Sequence, residues 1–276
     1  MGSLFHYTTI EALKCILKYK TIRLRPLSTL DDMEEALSQD SKAIGNYIFV
    51  SSWSAEGNEM IPMWFMYSDQ GKGVRLELPT NPFVNYSYSP EEQLKHGLIP
   101  IQETLVTMLP LEVILAKNHF VAPWHKDKVL KPIEYTDETN ALYPQLWTYK
   151  GVTETFSYGK MGICKNTYWS FQKEWRYILH VMPFSLEKAN YLINNNPSEL
   201  SAIMHQVSDG KAPCPIKYFD LEIDPVALSQ MKIVLGPLMS QKDADTVRGI
   251  ANDTDRRIMV LDSQLKGRLR EKNNEQ

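Results

Sequence analysis

Only three cysteines occur in 276 residues, Cys15, Cys164 and Cys214, far apart and odd in number. That count argues against a disulfide framework and a structural zinc site, and it fits the reduced thiols of a cytoplasm. Long hydrophobic runs are missing as well. No apolar stretch approaches the roughly 20 residues a membrane-spanning helix requires, so no membrane partner is expected. The start, Met1-Gly2-Ser3-Leu4-Phe5-His6, has neither the basic beginning nor the apolar stretch of a signal peptide. His6 also stands where a myristoylation motif takes Ser or Thr. Positive charge is not in excess: 30 Lys and Arg face 33 Asp and Glu, a net −3. That balance argues against a general basic coat for nucleic acid and leaves a local basic groove open. The phosphate loop with Lys-Ser/Thr, the G-x-S-x-G elbow and the H-E-x-x-H zinc motif are absent. His119 and His125 lie six apart without a third ligand, so no metal site is expected.

With 43% hydrophobic and 23% charged residues the chain can bury a sizeable core. Leu4-Phe5-His6-Tyr7 reads as a short strand. Thr8-x-x-Glu11 reads as a capping box for a helix whose apolar face is Ile10, Leu13, Ile16 and Leu17. His6 and Tyr7 then sit where a strand hands over to a helix, a place suited to anions. Thr21 to Arg25 alternates as a half-exposed strand, with Arg23 and Arg25 on one face. Asp31 to Ser41, acidic at its start, is expected to be helical. Tyr47 to Ser54 reads as a strand, Met60 to Ser68 as a short helix, and Gly73 to Leu78 as a strand after the tight turn Gly71-x-Gly73.

Further on, Ser89-Pro90-Glu91-Glu92 looks like a helix start, and Glu103 to Phe120 is expected to be helical. Lys128 to Tyr135 reads as a strand that Pro132 confines to an edge. Trp169 to Val181 ends in an apolar strand, and Ser185 to Asn194 is expected to be helical. Near the end, strands Ile233–Gly236 and Arg257–Leu261 flank a helix that Ser240 caps, which predicts a parallel β-α-β unit. Elsewhere strands and helices do not alternate regularly. The expected fold class is therefore α+β, one domain over 1–269 with a frayed polar tail at 270–276.

Three clusters can carry chemistry. Phe5-His6-Tyr7-Thr8 is either a binding edge or a strand whose histidine is satisfied by a carbonyl. Ser51-Ser52-Trp53-Ser54 with Met63-Trp64-Phe65-Met66-Tyr67 is either a stacking surface or plain core. Trp169-Ser170-Phe171-Gln172-Lys173-Glu174-Trp175-Arg176 holds either a working carboxylate or a structural Glu174–Arg176 pair. Glu174 and Arg176 are two apart, so a strand would turn both to one side.

In their order along the chain these clusters resemble the bacterial domain-of-unknown-function family 2971. The matching elements are Phe5–Thr8, Arg23–Leu27, Asp31–Glu35, Phe49–Ser54, Met63–Tyr67, Gly73–Leu78, Trp169–Arg176 and Ile233–Leu261. Two departures stand out. Asp31-Asp32-Met33-Glu34-Glu35 lacks the asparagine and proline of the family's acidic segment, and Gln172 replaces the first of two glutamates, leaving Glu174. The family's layout is similar to the ADP-ribosyltransferase superfamily of the His-Tyr-Glu type. That resemblance implies an ADP-ribosyltransferase-like mixed β-sheet core with flanking helices, and NAD as the substrate. It implies that His6 holds a ribose hydroxyl, that Tyr67 stacks on nicotinamide, and that Glu174 steadies the cationic transition state. The strands of His6 and Glu174 should then be neighbours, with both side chains on one face.

Elementary chemistry agrees with such roles. Cleaving the nicotinamide–ribose bond develops positive charge on the sugar, which a nearby carboxylate stabilises more than it stabilises the ground state. A neutral histidine can both donate to and accept from a ribose diol. Trp53 and Trp64 can stack on a flat ring, and Arg23, Arg25, Arg75 and Arg176 can meet a pyrophosphate. Tyr7, Thr8 and Ser52 complete the expected binding set. The acceptor, protein or nucleic acid, is not specified by these residues. Two other classes fit the same residues: a non-catalytic nucleotide- or nucleic-acid-binding module, and a scaffold with an aromatic core.

Overall fold

The computed structural model describes residues 2–99, 103–151 and 153–270. The chain opens with strand β1 (Ser3–Thr8), helix α1 (Ile10–Tyr19) and strand β2 (Thr21–Pro26). Strand β3 (Ile48–Ser54), helix α2 (Ile61–Tyr67) and strand β4 (Val74–Pro79) follow. The long strand β5 (Glu174–Met182) comes much later, then β6 (Phe219–Glu222), β7 (Lys232–Leu235), helix α3 (Gln241–Thr254) and β8 (Met259–Asp262). Among the described residues, eleven strands join in one sheet whose main path runs β8-β7-β4-β1-β3-β5 and on to His119–Ala122. Within this sheet β7 and β8 are parallel, as the β-α-β pattern predicts, and the other pairs are antiparallel. The class is α+β. Among the described residues no helix is long and apolar enough to cross a membrane.

Both faces of the sheet are covered, so β5 is buried or half-buried along its whole length, with Glu174, Arg176 and His180 included. Tyr177, Leu179 and Val181 pack into a cluster with Leu13, Ile16 and Leu17 of α1 and Val247 of α3. The alternate residue Ile178 joins Ile48, Val50, Tyr47 and Val207 on the other side. Close approach fixes one glycine at the rim. A Cβ on Gly73 would lie 2.3 Å from the Thr8 carbonyl oxygen, so only glycine lets β4 begin there.

One feature of the topology makes the cleft. Along one edge, β3 is paired with β5 over its whole length, Ile48 to Ser54. Along its other edge β3 meets two strands: Ser54 bridges Phe5 of β1, while Val50 and Phe49 pair with Arg25 and Pro26 of β2. Helix α1 joins those two strands, and between them the sheet forks beside Ser51, Ser52 and Trp53.

Several expectations need correcting. Thr8 stays in β1, paired with Val74, so the cap falls to Thr9, whose Oγ1 accepts from the Ala12 amide at 3.2 Å. Asp31 to Ser41 is not a helix; only a 3-10 turn forms, at Glu34–Ala36. Its polar side chains bond elsewhere: Asp32 to the Glu34 amide, Asp40 to the amides of Leu146 and Trp147, and Ser41 to the Ser208 carbonyl. Such bonds compete with a helix. Over 103–120 the expected long helix is replaced by strand Leu105–Thr107, a short helix Leu111–Ile114 behind Pro110, and a hairpin of Leu115–Ala116 with His119–Ala122. The hairpin is captured by the edge of β5, a tertiary contact that overrides local pattern. The helix Pro197–Ser208 and strand β6 were not anticipated. Residues 271–276 of the expected tail lie outside the described residues.

Candidate functional site

The fork opens into a cleft of about 1110 Å³, slightly larger than the usual range for ligand sites. Its lining includes His6, Tyr67 and Glu174, together with Tyr7, Thr8, Arg23, Arg25, Ser52, Trp53 and Arg176. Two expected members are elsewhere. Trp64 is fully buried against Tyr7, with Nε1 donating to Glu59 at 3.0 Å. Arg75 is buried over the Phe5 ring and donates to the Gly57 carbonyl at 2.9 Å. Neither is part of the lining.

Contrary to the expectation from the resemblance, the strands of His6 and Glu174 are not neighbours; β3 lies between them. Counting through the rows Glu174–Ser54 and Ser54–Phe5 also puts His6 out of phase with Glu174, on the opposite side of the sheet. That phase is carried by a single bridge. Both residues nonetheless line the cleft.

At the fork, the Ser52 carbonyl lies 2.9 Å from His6 Nδ1. A carbonyl can only accept, so Nδ1 carries the hydrogen and the neutral ring presents Nε2 as an acceptor. Burial lowers the His6 pKa, against the raising effect of the Ser52 bond, which keeps the ring neutral near pH 7. Its ring lies 5.0 Å from that of Trp53, itself buried and donating to Ser51 Oγ at 3.0 Å. Trp53 is thus a fixed wall.

The floor is a buried ion cluster. Arg176 is fully buried and grips Glu174 with two hydrogen bonds, Nε to Oε1 at 2.6 Å and Nη2 to Oε2 at 3.0 Å. Its Nη1 contacts Glu35, and Lys165 Nζ lies 3.2 Å from Glu35 and 3.4 Å from Glu174. Burial opposes ionisation of Glu174, but Arg176, then Lys165, with hydrogen bonds from Arg176 and Ser52, hold its carboxyl below the usual range. For Arg176, burial works against the cation, and Glu174 and Glu35 outweigh it, raising the pKa. The Glu174 amide donates to Tyr135 Oη at 2.8 Å, which pins the start of β5.

Tyr67, at the end of α2, reaches this floor. Gln172 Nε2 donates to its oxygen at 2.6 Å, and Lys165 donates to Gln172 Oε1 at 2.9 Å. Asp31 stands near the same phenol. Burial and then Asp31 push its pKa well up. Tyr7 is buried, its Oη accepting from the Met60 amide at 3.1 Å, and its pKa is raised chiefly by burial. At the mouth, Arg23 is bound by Asp220 through two 2.8 Å hydrogen bonds and lies 3.6 Å from the Tyr218 ring. Arg25 has one long bond, to the Thr29 carbonyl at 3.3 Å. Of the two arginines, Arg25 is the cation available to a phosphate.

Sequence reasoning missed Glu35, Lys165, Asp31, Asp32, Tyr218 and Asp220 as lining residues. The acidic run Asp31–Glu35 is the visible signal for three of them, but its composition equally suits a helix start. The arrangement can hold a flat ligand between polar walls, offer a histidine acceptor, and set a carboxylate beside the ligand. Compared with known proteins, the chain matches no family model, no curated protein and no solved structure.

Proposed function

We propose that the cleft binds NAD and that the protein is an ADP-ribosyltransferase-like enzyme, in keeping with its resemblance to the family 2971 pattern. The observation that carries this reading is one continuous cleft lined by His6, Tyr67 and Glu174, residues up to 168 positions apart, with Arg25 at its mouth. In the proposed reaction the bond between nicotinamide nitrogen and ribose C1′ breaks. Its electron pair leaves on nicotinamide, which becomes neutral, and the sugar becomes cationic. Glu174 stabilises that cation, His6 Nε2 accepts from a ribose hydroxyl, and a nucleophile adds to C1′ and loses its proton. The nucleophile is water or a group on a protein or nucleic acid.

The grip of Arg176 and Lys165 on Glu174 favours a second reading, a nucleotide-binding module without turnover. Purified protein incubated with NAD and candidate acceptors separates the two. Released nicotinamide or an ADP-ribosylated product supports the enzyme. A rise in melting temperature with NAD and no product supports the binding module. Neither a rise nor a product refutes both.

A further inference from the structure

The floor of the cleft holds two carboxylates, Glu35 and Glu174, and two cations, Lys165 and Arg176, each side chain no more than 6% exposed. Glu35 arrives from the turn Glu34–Ala36 and contacts both cations. The formal charge sums to zero. A third buried carboxylate would lack a cation of its own, which buried charges tolerate poorly. Position 172 accordingly carries an amide, whose carbonyl accepts from Lys165 while its NH2 donates to Tyr67. An ionised carboxylate there could not donate.

We propose that Glu35 is the second carboxylate of this site, sharing with Glu174 the two cations of the floor. It is a positioning residue. By sharing Lys165 and Arg176 it prevents both from neutralising Glu174 and leaves that carboxylate with charge to offer the sugar. The inference rests on the NAD-cleavage reading. The groups that act on Glu174 are Arg176 on its own strand, Lys165, Ser52 of β3, Tyr135, Tyr67 and Glu35.

The test compares wild type, Glu35→Gln, Gln172→Glu and the double variant for melting temperature, NAD dissociation constant and nicotinamide release across pH. Glu35→Gln leaves one net positive charge beside the developing sugar cation. Turnover is expected to fall about tenfold or more, with NAD affinity changed by less than about threefold. The acid limb of turnover is expected to move to lower pH, because Glu174 loses a negative neighbour and ionises more readily. Gln172→Glu alone should also be impaired. The double variant restores the charge balance and is expected to exceed both singles in turnover by about fivefold or more. A purely structural Glu35 would lower the melting temperature and leave the acid limb in place, and that result overturns the proposal. So does a double variant no better than either single. Should Glu35→Gln fail to fold, the double variant decides: turnover above that of Gln172→Glu supports the proposal, and an inactive or unfolded protein overturns it. Nicotinamide release by wild type with a fully active Glu35→Gln overturns this proposal alone. No release by wild type overturns the NAD reading and this proposal with it.

Discussion

Replacing Glu174 by glutamine keeps the shape of the side chain and removes its charge. The amide can present only one oxygen to Arg176, where the carboxylate now takes both Nε and Nη2. Its NH2 would face donors of Arg176 or Lys165. Arg176 is fully buried and Glu174 nearly so, which makes solvent screening small. Removing one partner of such a pair typically costs about 3–5 kcal/mol. At about 2–4 °C per kcal/mol for a chain of this size, Glu174→Gln should lower the melting temperature by about 6–20 °C at pH 7. Because the folded-state pKa of Glu174 lies below the ordinary value of 4.5, its stabilisation is complete above that value. It is lost as pH falls from there through the folded-state pKa, so the gap between wild type and variant should close in acid. Nicotinamide release, measured where both proteins are folded, should fall by about 10²–10³ if the carboxylate also serves the sugar. The assay is thermal melting by circular dichroism from pH 3 to pH 8, beside turnover. A drop of less than about 2 °C at pH 7, or a gap that persists in acid, would refute the ion-pair account of the floor.

Arg25→Ala should weaken NAD binding about tenfold, the scale of one charge-assisted hydrogen bond, and more so at low salt. Arg23→Ala should change it by less than about twofold, since Asp220 already holds that guanidinium; titration calorimetry of both variants checks the contrast. Trp64→Ala should cost about 3–5 kcal/mol in urea unfolding yet leave the NAD dissociation constant of the folded protein unchanged, because Trp64 is core and not cleft. Burial lowers the His180 pKa from 6.5 to about 4, so the folded state resists a proton that the unfolded chain accepts. Stability from this group is present above pH 6.5 and declines as pH falls below it, and His180→Phe should flatten that decline in unfolding measured at pH 4.5 and pH 7.

The sequence alone determined the elements whose signals are local. The short strand Leu4–Tyr7, the alternation at Gly73–Leu78, the apolar face of α1, and the Ser240 cap with its β-α-β unit depend on neighbours within a few residues, and each is found at its expected place. The resemblance points to His6, Tyr67 and Glu174, and only the tertiary structure brings the three to one cleft. Tertiary structure decided what distance along the chain conceals. Asp31 to Ser41 has helix-like composition, but Glu35, Asp40 and Ser41 find partners more than 100 residues away, and those bonds outweigh a short helix. The hairpin at 115–122 exists because β5 offers it an edge. The cleft itself follows from β3 meeting β1 at one end of an edge and β2 at the other. The place of Glu35 was tertiary too: the folded chain brings it to the two cations that hold Glu174, because buried charge must balance in space and not along the sequence.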